Sequence, residues 1–267
     1  MHPWRLRLTN LWNTYKLQSY RPVIPTEVDH TRLHQDLGAL LQAPADWIAP
    51  LWRDYQALMT TKRHVAELGQ VGTLSSEEAF VLHCLSARFQ PPELIEIGTH
   101  QGKSTRRILD SLASLRLNTR VTCFDIEDLV TCFSRDEATL LLRDVTDSVE
   151  EDILDRYAPG IIYLDAHPWR LLKNVIEAVL RREDWLLAIH DCSPILCNPK
   201  MTISKDEPGL ITMRTGHWER HVLAEVFGLD NPLDPRLNDV ETDRHRLRIF
   251  GTQHGLGVVL PKALLSA

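Results

Sequence analysis

"LIEIGTHQGKST", residues 94–105, decides how this sequence is read: an apolar run, a glycine bend, then Gly-Lys-Ser opening a helical pattern. A phosphate-binding loop needs four residues between its first glycine and the Gly-Lys-Ser, so that backbone N–H groups can wrap phosphate oxygens. Only Thr99, His100 and Gln101 separate Gly98 from Gly102 here. Glu96, just ahead of the bend, would also repel a triphosphate. The dinucleotide fingerprint Gly-x-Gly-x-x-Gly has no counterpart either. The ligand this bend suits carries an ammonium for Glu96, a carboxylate small enough for a helix N-terminus, and no phosphate. Gly98 and Gly102 let the backbone come close to it.

Outward from that stretch the chain is rhythmic. "ELIEI" (93–97), "RVTCFD" (120–125), "TLLLRD" (139–144), "GIIYLD" (160–165) and "WLLAIHD" (185–191) are short apolar runs ending in a polar residue, usually an acid. Helical patterns lie between most of them. Ile108, Leu109, Leu112 and Leu115 share a face over 103–116, and Leu171, Leu172, Val175, Ile176 and Val179 share one over 170–182. Apolar strands alternating with helices predict an α/β fold whose parallel sheet is covered on both faces. Such sheets bind ligands at the carboxyl ends of their strands, and those ends carry Glu96, Asp125, Asp144, Asp165 and His190-Asp191. Singly, an acid such as Asp144 or Asp191 is more often a helix cap or turn former than a ligand. Together, beside a glycine bend, they read as a site.

Downstream, "RLRIFGTQHGLGVVLPK" (246–262) predicts an antiparallel hairpin. Upstream, "ADWIAPLWRDYQALMTTKRHVAEL" and "SSEEAFVLHCLSARF" show helical spacing. Ser75 or Ser76, followed by Glu77 and Glu78, starts the second helix with acids in its positive first turn. The expected organisation is a helical extension over 1–70 and a main domain over 71–267. Within that domain, 192–245 is Pro-rich, interrupted by a helix at 217–229, and expected to wall or cover a substrate.

The bulk numbers bound the function. A chain of 267 residues, 43% hydrophobic and 25% charged, suits one large α/β domain with an extension. A net charge of −6 excludes a general nucleic-acid binder, which needs basic surface to displace counterions. No apolar run approaches the roughly 20 residues of a membrane span, and "MHPWRLRLTNLW" lacks a signal-peptide core. Cys84, Cys123, Cys132, Cys192 and Cys197 lack zinc-type pairing, so free thiols in a reducing cytoplasm are expected. Arg5, Arg7, Lys16 and Arg21, interleaved with Trp4, Leu8, Leu11 and Trp12, read as a packed extension or as a surface for a membrane face or a second copy of the chain.

"ELIEIGTHQGKST" resembles motif I of the class I S-adenosylmethionine-dependent methyltransferases, which have a Rossmann-like fold. The resemblance implies that Glu96, Gly98, Thr99, Gly102 and Ser104 line the methionine part of the cofactor. "VTCFDIED" is similar to the second motif, whose acid binds the ribose hydroxyls, here Asp125. "LLRDVTDS" falls where the family has an acid near the adenine, here Asp144. "IIYLDAHPW" and "LLAIHDCSP" are similar to the fourth and fifth strand ends of small-molecule O-methyltransferases. That branch includes the catechol O-methyltransferase group and the bacterial sugar and antibiotic-tailoring enzymes grouped with cephalosporin hydroxylase. It implies a divalent metal, Mg or Mn, on Asp165, His190 and Asp191. The likeness covers 75–191 and the closing hairpin, leaving 1–70 and 192–245 outside it. Two departures stand out: His-Asp replaces the usual Asp-Asn after strand five, and Pro168 occupies the position of a lysine base.

The expected activity is methyl transfer from S-adenosylmethionine to a hydroxyl of a small molecule, a sugar or natural product, with metal assistance. Asp165 and His167 are the expected catalytic residues, His167 being the nearest candidate base. His100 reads as a wall of the cofactor turn. Trp169 and Trp218 read as core or as stacking surfaces for substrate. The competing expectation is a methyltransferase-like binding protein, or a metal enzyme of other chemistry, since fold alone does not fix function.

Overall fold

The computed structural model describes residues 28–61, 74–197, 201–203, 211–213 and 217–266. Five strands form inside the expected apolar runs: β1 (Glu93–Ile97), β2 (Arg120–Asp125), β3 (Thr139–Leu142), β4 (Ile161–Leu164) and β5 (Leu186–Ile189). They pair in parallel in the order β3-β2-β1-β4-β5. The chain therefore builds outward from β1 in one direction and then returns to build in the other. The crevice between the ends of β1 and β4 is the topological switch point, where open α/β sheets bind ligands.

Two short strands, β6 (Met201–Ile203) and β7 (Ile211–Met213), make a separate ribbon. Three more complete the main sheet: β8 (Asp239–Glu241), β9 (His245–Phe250) and β10 (Leu256–Pro261). β10 runs antiparallel to both β5 and β9, and β8 closes the edge. The result is the mostly parallel, Rossmann-like sheet with an antiparallel C-terminal hairpin that the resemblance implies.

Adjacent strand residues point to opposite faces, so two cores form. On one face α1 (His30–Leu41), α2 (Ala45–Met59), α3 (Ser76–Phe89) and α4 (Lys103–Ser114) bring Leu37, Ile48, Phe80 and Leu112 against Leu94, Val121 and Val258. On the other, α5 (Trp169–Leu180) and α6 (Glu219–Val226) bring Leu172, Ile176 and Leu223 against Ile95, Ile162 and Val259. Each such side chain contributes about 1.5–3 kcal/mol of burial.

Two helix starts border the switch point. α3 opens with a capping box: the Ser75 hydroxyl accepts the Glu78 N–H at 3.2 Å, and Glu78 Oε2 accepts the Ser75 N–H at 2.7 Å. α4 starts at Gly102 with no side-chain cap, so its positive end faces the bend.

Residues 1–27 and 62–73 lie outside the described residues, and with them the basic, tryptophan-bearing segment and its reading as a membrane or oligomer surface. α1 and α2 are helical as expected of the extension, and they pack into the first core. β6, β7 and β8 arise within 192–245, where the sequence shows no strand pattern, because three-residue strands leave no readable alternation. α6 is a fixed wall: Val222 and Leu223 are fully buried, and Arg220 donates to the carbonyls of Pro232 and Cys192 and to Asn238. Trp169 and Trp218 meet edge to face, with centroids 5.4 Å apart. Among the described residues no helix is long and apolar enough to cross a membrane, and all five cysteines are free.

Candidate active site

The strand register sets the site level. Phe124, Ile97, Leu164 and Ile189 are paired across β2, β1, β4 and β5. One residue further on stand Asp125, Gly98, Asp165 and His190. Three more ladder bonds hold this row: Gly98 N–H to Phe124 O at 2.9 Å, Asp165 N–H to Ile97 O at 2.8 Å, and His190 N–H to Leu164 O at 2.9 Å. Residues far apart in sequence therefore meet at the switch point at one height.

The glycine bend follows β1. Gly98 has φ 91°, in the left-handed region, and a Cβ there would collide with the backbone carbonyl of Asp165. At Gly102, φ 77°, a Cβ would stand 2.6 Å from Phe133 Cε1. Between them His100 also takes a positive φ of 47°. Its N–H donates to Asp125 Oδ2 at 2.7 Å, while Asp125 Oδ1 accepts the N–H groups of Ile126 and Glu127 at 2.7 and 3.2 Å. Asp125 thus ties the end of β2 to the bend. Thr99 Oγ1 is buried without a partner among the described residues, and Ser104 is buried at the start of α4. Asp144 is exposed, accepts the Thr146 N–H at 2.8 Å, and is held below the ordinary carboxylate range by its hydrogen bonds from Thr146.

Glu96 differs from its expected place at the mouth of the bend. It is fully buried beneath α4, where the Thr105 hydroxyl donates to Oε2 and the Cys123 thiol lies 3.5 Å away; Oε1 has no partner among the described residues. Burial pushes its carboxyl up to about 8, with Asp165 and Asp125 adding to the rise and Thr105 opposing it. A carboxyl protonated at neutral pH repels no phosphate, so the electrostatic objection to a phosphate loop falls away. The spacing objection stands.

Beyond β4 and β5 the site is built of histidines and carboxylates. His190 is 2% exposed, with Nδ1 3.0 Å from Asp165 Oδ1 and Nε2 3.2 Å from Glu78 Oε2. Burial acts against its charge, but Asp165 and Glu78 outweigh it and hold the imidazole well above its ordinary range. Glu78 is correspondingly held well below its own: its burial penalty is overcome by His190 and His254 and by the capped Ser75 N–H. Its Oε1 also accepts the Thr252 hydroxyl and the His254 N–H, both at 2.8 Å. Tyr163 donates its hydroxyl to Asp165 Oδ2 at 3.2 Å.

Asp191 carries an unusual backbone, φ 59°. Its Oδ2 lies 3.1 Å from His217 Nδ1 and 3.8 Å from His167 Nε2. Burial opposes its charge, yet His217, His190 and His167 together hold it below the usual range. His167 places Nδ1 2.8 Å from Glu219 Oε1. Burial works against a charged His167, but Glu219, Asp191 and Asp165 raise it, and burial raises Glu219 in turn.

Glu96 apart, which is buried beneath α4, the sequence-expected site residues lie on this edge, Asp144 at its far end. Of the expected metal ligands, Asp165 and Asp191 present oxygens to the site. His190 Nδ1 lies 3.0 Å from Asp165 Oδ1 and 3.4 Å from Asp191 Oδ1, so one ligand atom from each of the three lies within 4.8 Å of the others, while its Nε2 faces Glu78. Glu78, His254, His217 and Glu219 are additions that the sequence does not flag. Glu78 is readable as a capping residue, but nothing local signals its second task. His217 and Glu219 reach the site only because α6 packs beside α5.

No protein-family model matches the chain and no curated protein is similar to it. Among solved structures, cmcI bound to SAH overlaps 48% of this chain and 66% of its own, at 18% identity and TM-score 0.37. For cmcI with Mg and SAM the figures are 41%, 50%, 18% and 0.35. The chain thus spans less than two thirds of either cmcI structure. An O-methyltransferase from Bacillus cereus in complex with SAH overlaps 90% of this chain and all of its own, at 14% identity and TM-score 0.45. With TM-scores below 0.5, none of these overlaps carries an argument about this chain.

Proposed function

We propose that this chain transfers the methyl group of S-adenosylmethionine to a hydroxyl of a small molecule, a sugar or natural product. The observation that carries the reading is the glycine bend tied to Asp125, level with and beside a histidine–carboxylate cluster at the switch point. The uncapped start of α4, the orphan Thr99 hydroxyl and Ser104 suit the cofactor's carboxylate, and Gly98 and Gly102 allow its approach. Glu96, buried beneath the bend and neutral at pH 7, offers the ammonium a hydrogen-bond acceptor in its unpartnered Oε1 rather than a charge. Asp125 suits the ribose hydroxyls. Exposed Ile126 and Leu142, with Asp144 beyond, offer an apolar face and an acceptor to the adenine.

The acceptor oxygen attacks the sulfonium methyl in line. A C–O bond forms, and the C–S bond breaks with its electron pair remaining on sulfur, giving S-adenosylhomocysteine. The hydroxyl proton passes to His167 Nε2, whose other nitrogen is held by Glu219. Asp165, in the middle of the row, orients the acceptor. Asp165, His190 and Asp191 would hold a divalent ion, which would polarise the hydroxyl. The acidic net charge and free thiols suit a cytoplasmic enzyme of small molecules.

Thermal unfolding tests the reading. S-Adenosylmethionine and S-adenosylhomocysteine should each raise the melting temperature, while NAD and ATP leave it unchanged. No shift with either sulfur ligand, or an equal shift with ATP, overturns it.

A further inference from the structure

We propose that His167, Asp191 and His217 form a binding site for a single first-row divalent transition-metal ion, sharing only Asp191 with the Asp165–His190–Asp191 set. One ligand atom from each of the three lies within 4.8 Å of the others. Two ligand atoms bound at about 2.0–2.1 Å to one ion stand roughly 3.0–3.8 Å apart over tetrahedral and distorted angles. His217 Nδ1 to Asp191 Oδ2, at 3.1 Å, and His167 Nε2 to Asp191 Oδ2, at 3.8 Å, span that range.

Two further observations point to a ligand. His217 Nδ1 is buried and makes no hydrogen bond among the described residues, although an acceptor stands 3.1 Å away. Two ligand atoms side by side, out of hydrogen-bond alignment, are the arrangement that convergence on a shared ion gives. The other observation is Glu219. Its Oε1 sits 2.8 Å from His167 Nδ1, so in the tautomer with the proton on Nδ1 the Nε2 lone pair is free on the Asp191 side. A buried carboxylate behind a ligating histidine is the usual outer support of such sites.

Two imidazole nitrogens and one carboxylate oxygen favour Zn, Co, Fe or Mn over Mg, which prefers oxygen. His167 is 40% exposed, so one side of the cluster is open, as in catalytic rather than structural sites. An ion there commits His167 Nε2 to coordination, so the loaded and ion-free protein activate the hydroxyl differently. The site uses residues of the proposed transferase reading but does not rest on it.

The experiment measures ion uptake by the full chain without cofactor or acceptor. Protein stripped with chelator is titrated with Co(II), followed by its visible d–d absorption, and with Zn(II) by calorimetry. One ion per chain is expected, with Zn displacing Co and millimolar Mg displacing neither. His217→Ala and Asp191→Asn should each weaken binding at least about tenfold, and Glu219→Gln about tenfold. Asp165→Asn should leave it unchanged. Melting curves identify any variant that fails to fold, and the remaining two then carry the test. No stoichiometric uptake overturns the proposal. So does binding kept in His217→Ala but lost in Asp165→Asn, which assigns the ion to the other set. Uptake without any S-adenosylmethionine binding keeps the metal site and removes the transferase reading; the converse does the opposite.

Discussion

The two halves of the sheet's carboxyl edge satisfy their acids in different ways. On the β1–β2–β3 side, Asp125 and Asp144 accept backbone N–H groups from their own turn or the next loop, as with His100, Ile126 and Thr146. On the β4–β5–α6 side, Glu78, Asp165, Asp191 and Glu219 face histidines drawn from distant segments, His190 meeting Glu78 across 112 positions and His167 meeting Glu219 across 52. The first half is a rigid mould for a ligand. The second is a charge network whose members depend on one another, so damage should spread in it and stay local in the first.

The largest effect tests the network at its chemical end. His167→Ala should lower the rate of methyl transfer to an acceptor found by screening by about 10²–10⁴-fold, with S-adenosylmethionine affinity within about threefold of wild type. An equal loss of affinity would merge the two halves. Next, Glu78→Ala strands a buried imidazolium and three donors, and should cost about 3–5 kcal/mol in denaturant unfolding. A loss below about 1 kcal/mol would mean the network is not cooperative.

In the mould, Asp125→Ala should weaken S-adenosylmethionine binding about tenfold to a hundredfold, through loss of charge-assisted hydrogen bonds, while stability changes little. Glu96 gives a smaller, pH-dependent effect. Its carboxyl rises from 4.5 unfolded to about 8 folded. The folded state carries no penalty from it below pH 4.5; the penalty grows as pH rises and levels off near pH 8. Glu96→Gln should therefore gain on wild type by up to about 1.4 kcal/mol per pH unit in that window. A pH-independent difference in melting temperature would place Glu96 in an ordinary environment. Least of all, exposed Asp144→Ala should shift stability by under about 0.5 kcal/mol.

The same contrast explains what could be read from sequence. β1 to β5, α3 to α5 and the closing hairpin were legible because each is local: an apolar run, a helical face, a glycine turn. Asp125 and the bend were legible because their partners lie in the adjoining loop. The histidine network was only half legible. Asp165, His167, His190 and Asp191 sit at strand ends and could be found there, whereas Glu78 looked like a helix cap, and His217 and Glu219 join only through packing of α6 on α5. His190 shows the limit of a purely local reading: its position suggests a metal ligand, and only the fold reveals Glu78 facing its other nitrogen. Glu96 is the second case, an acid at the right place in the motif whose charge is removed by burial that no motif records.

A crystal structure of the chain with S-adenosylhomocysteine would decide between a cofactor mould and an unrelated bend. The expected result is the amino-acid part in the Gly98–Gly102 bend, the ribose on Asp125, and the sulfur turned toward His167. A cofactor bound elsewhere, or a nucleotide's phosphates seated in that bend, would contradict it.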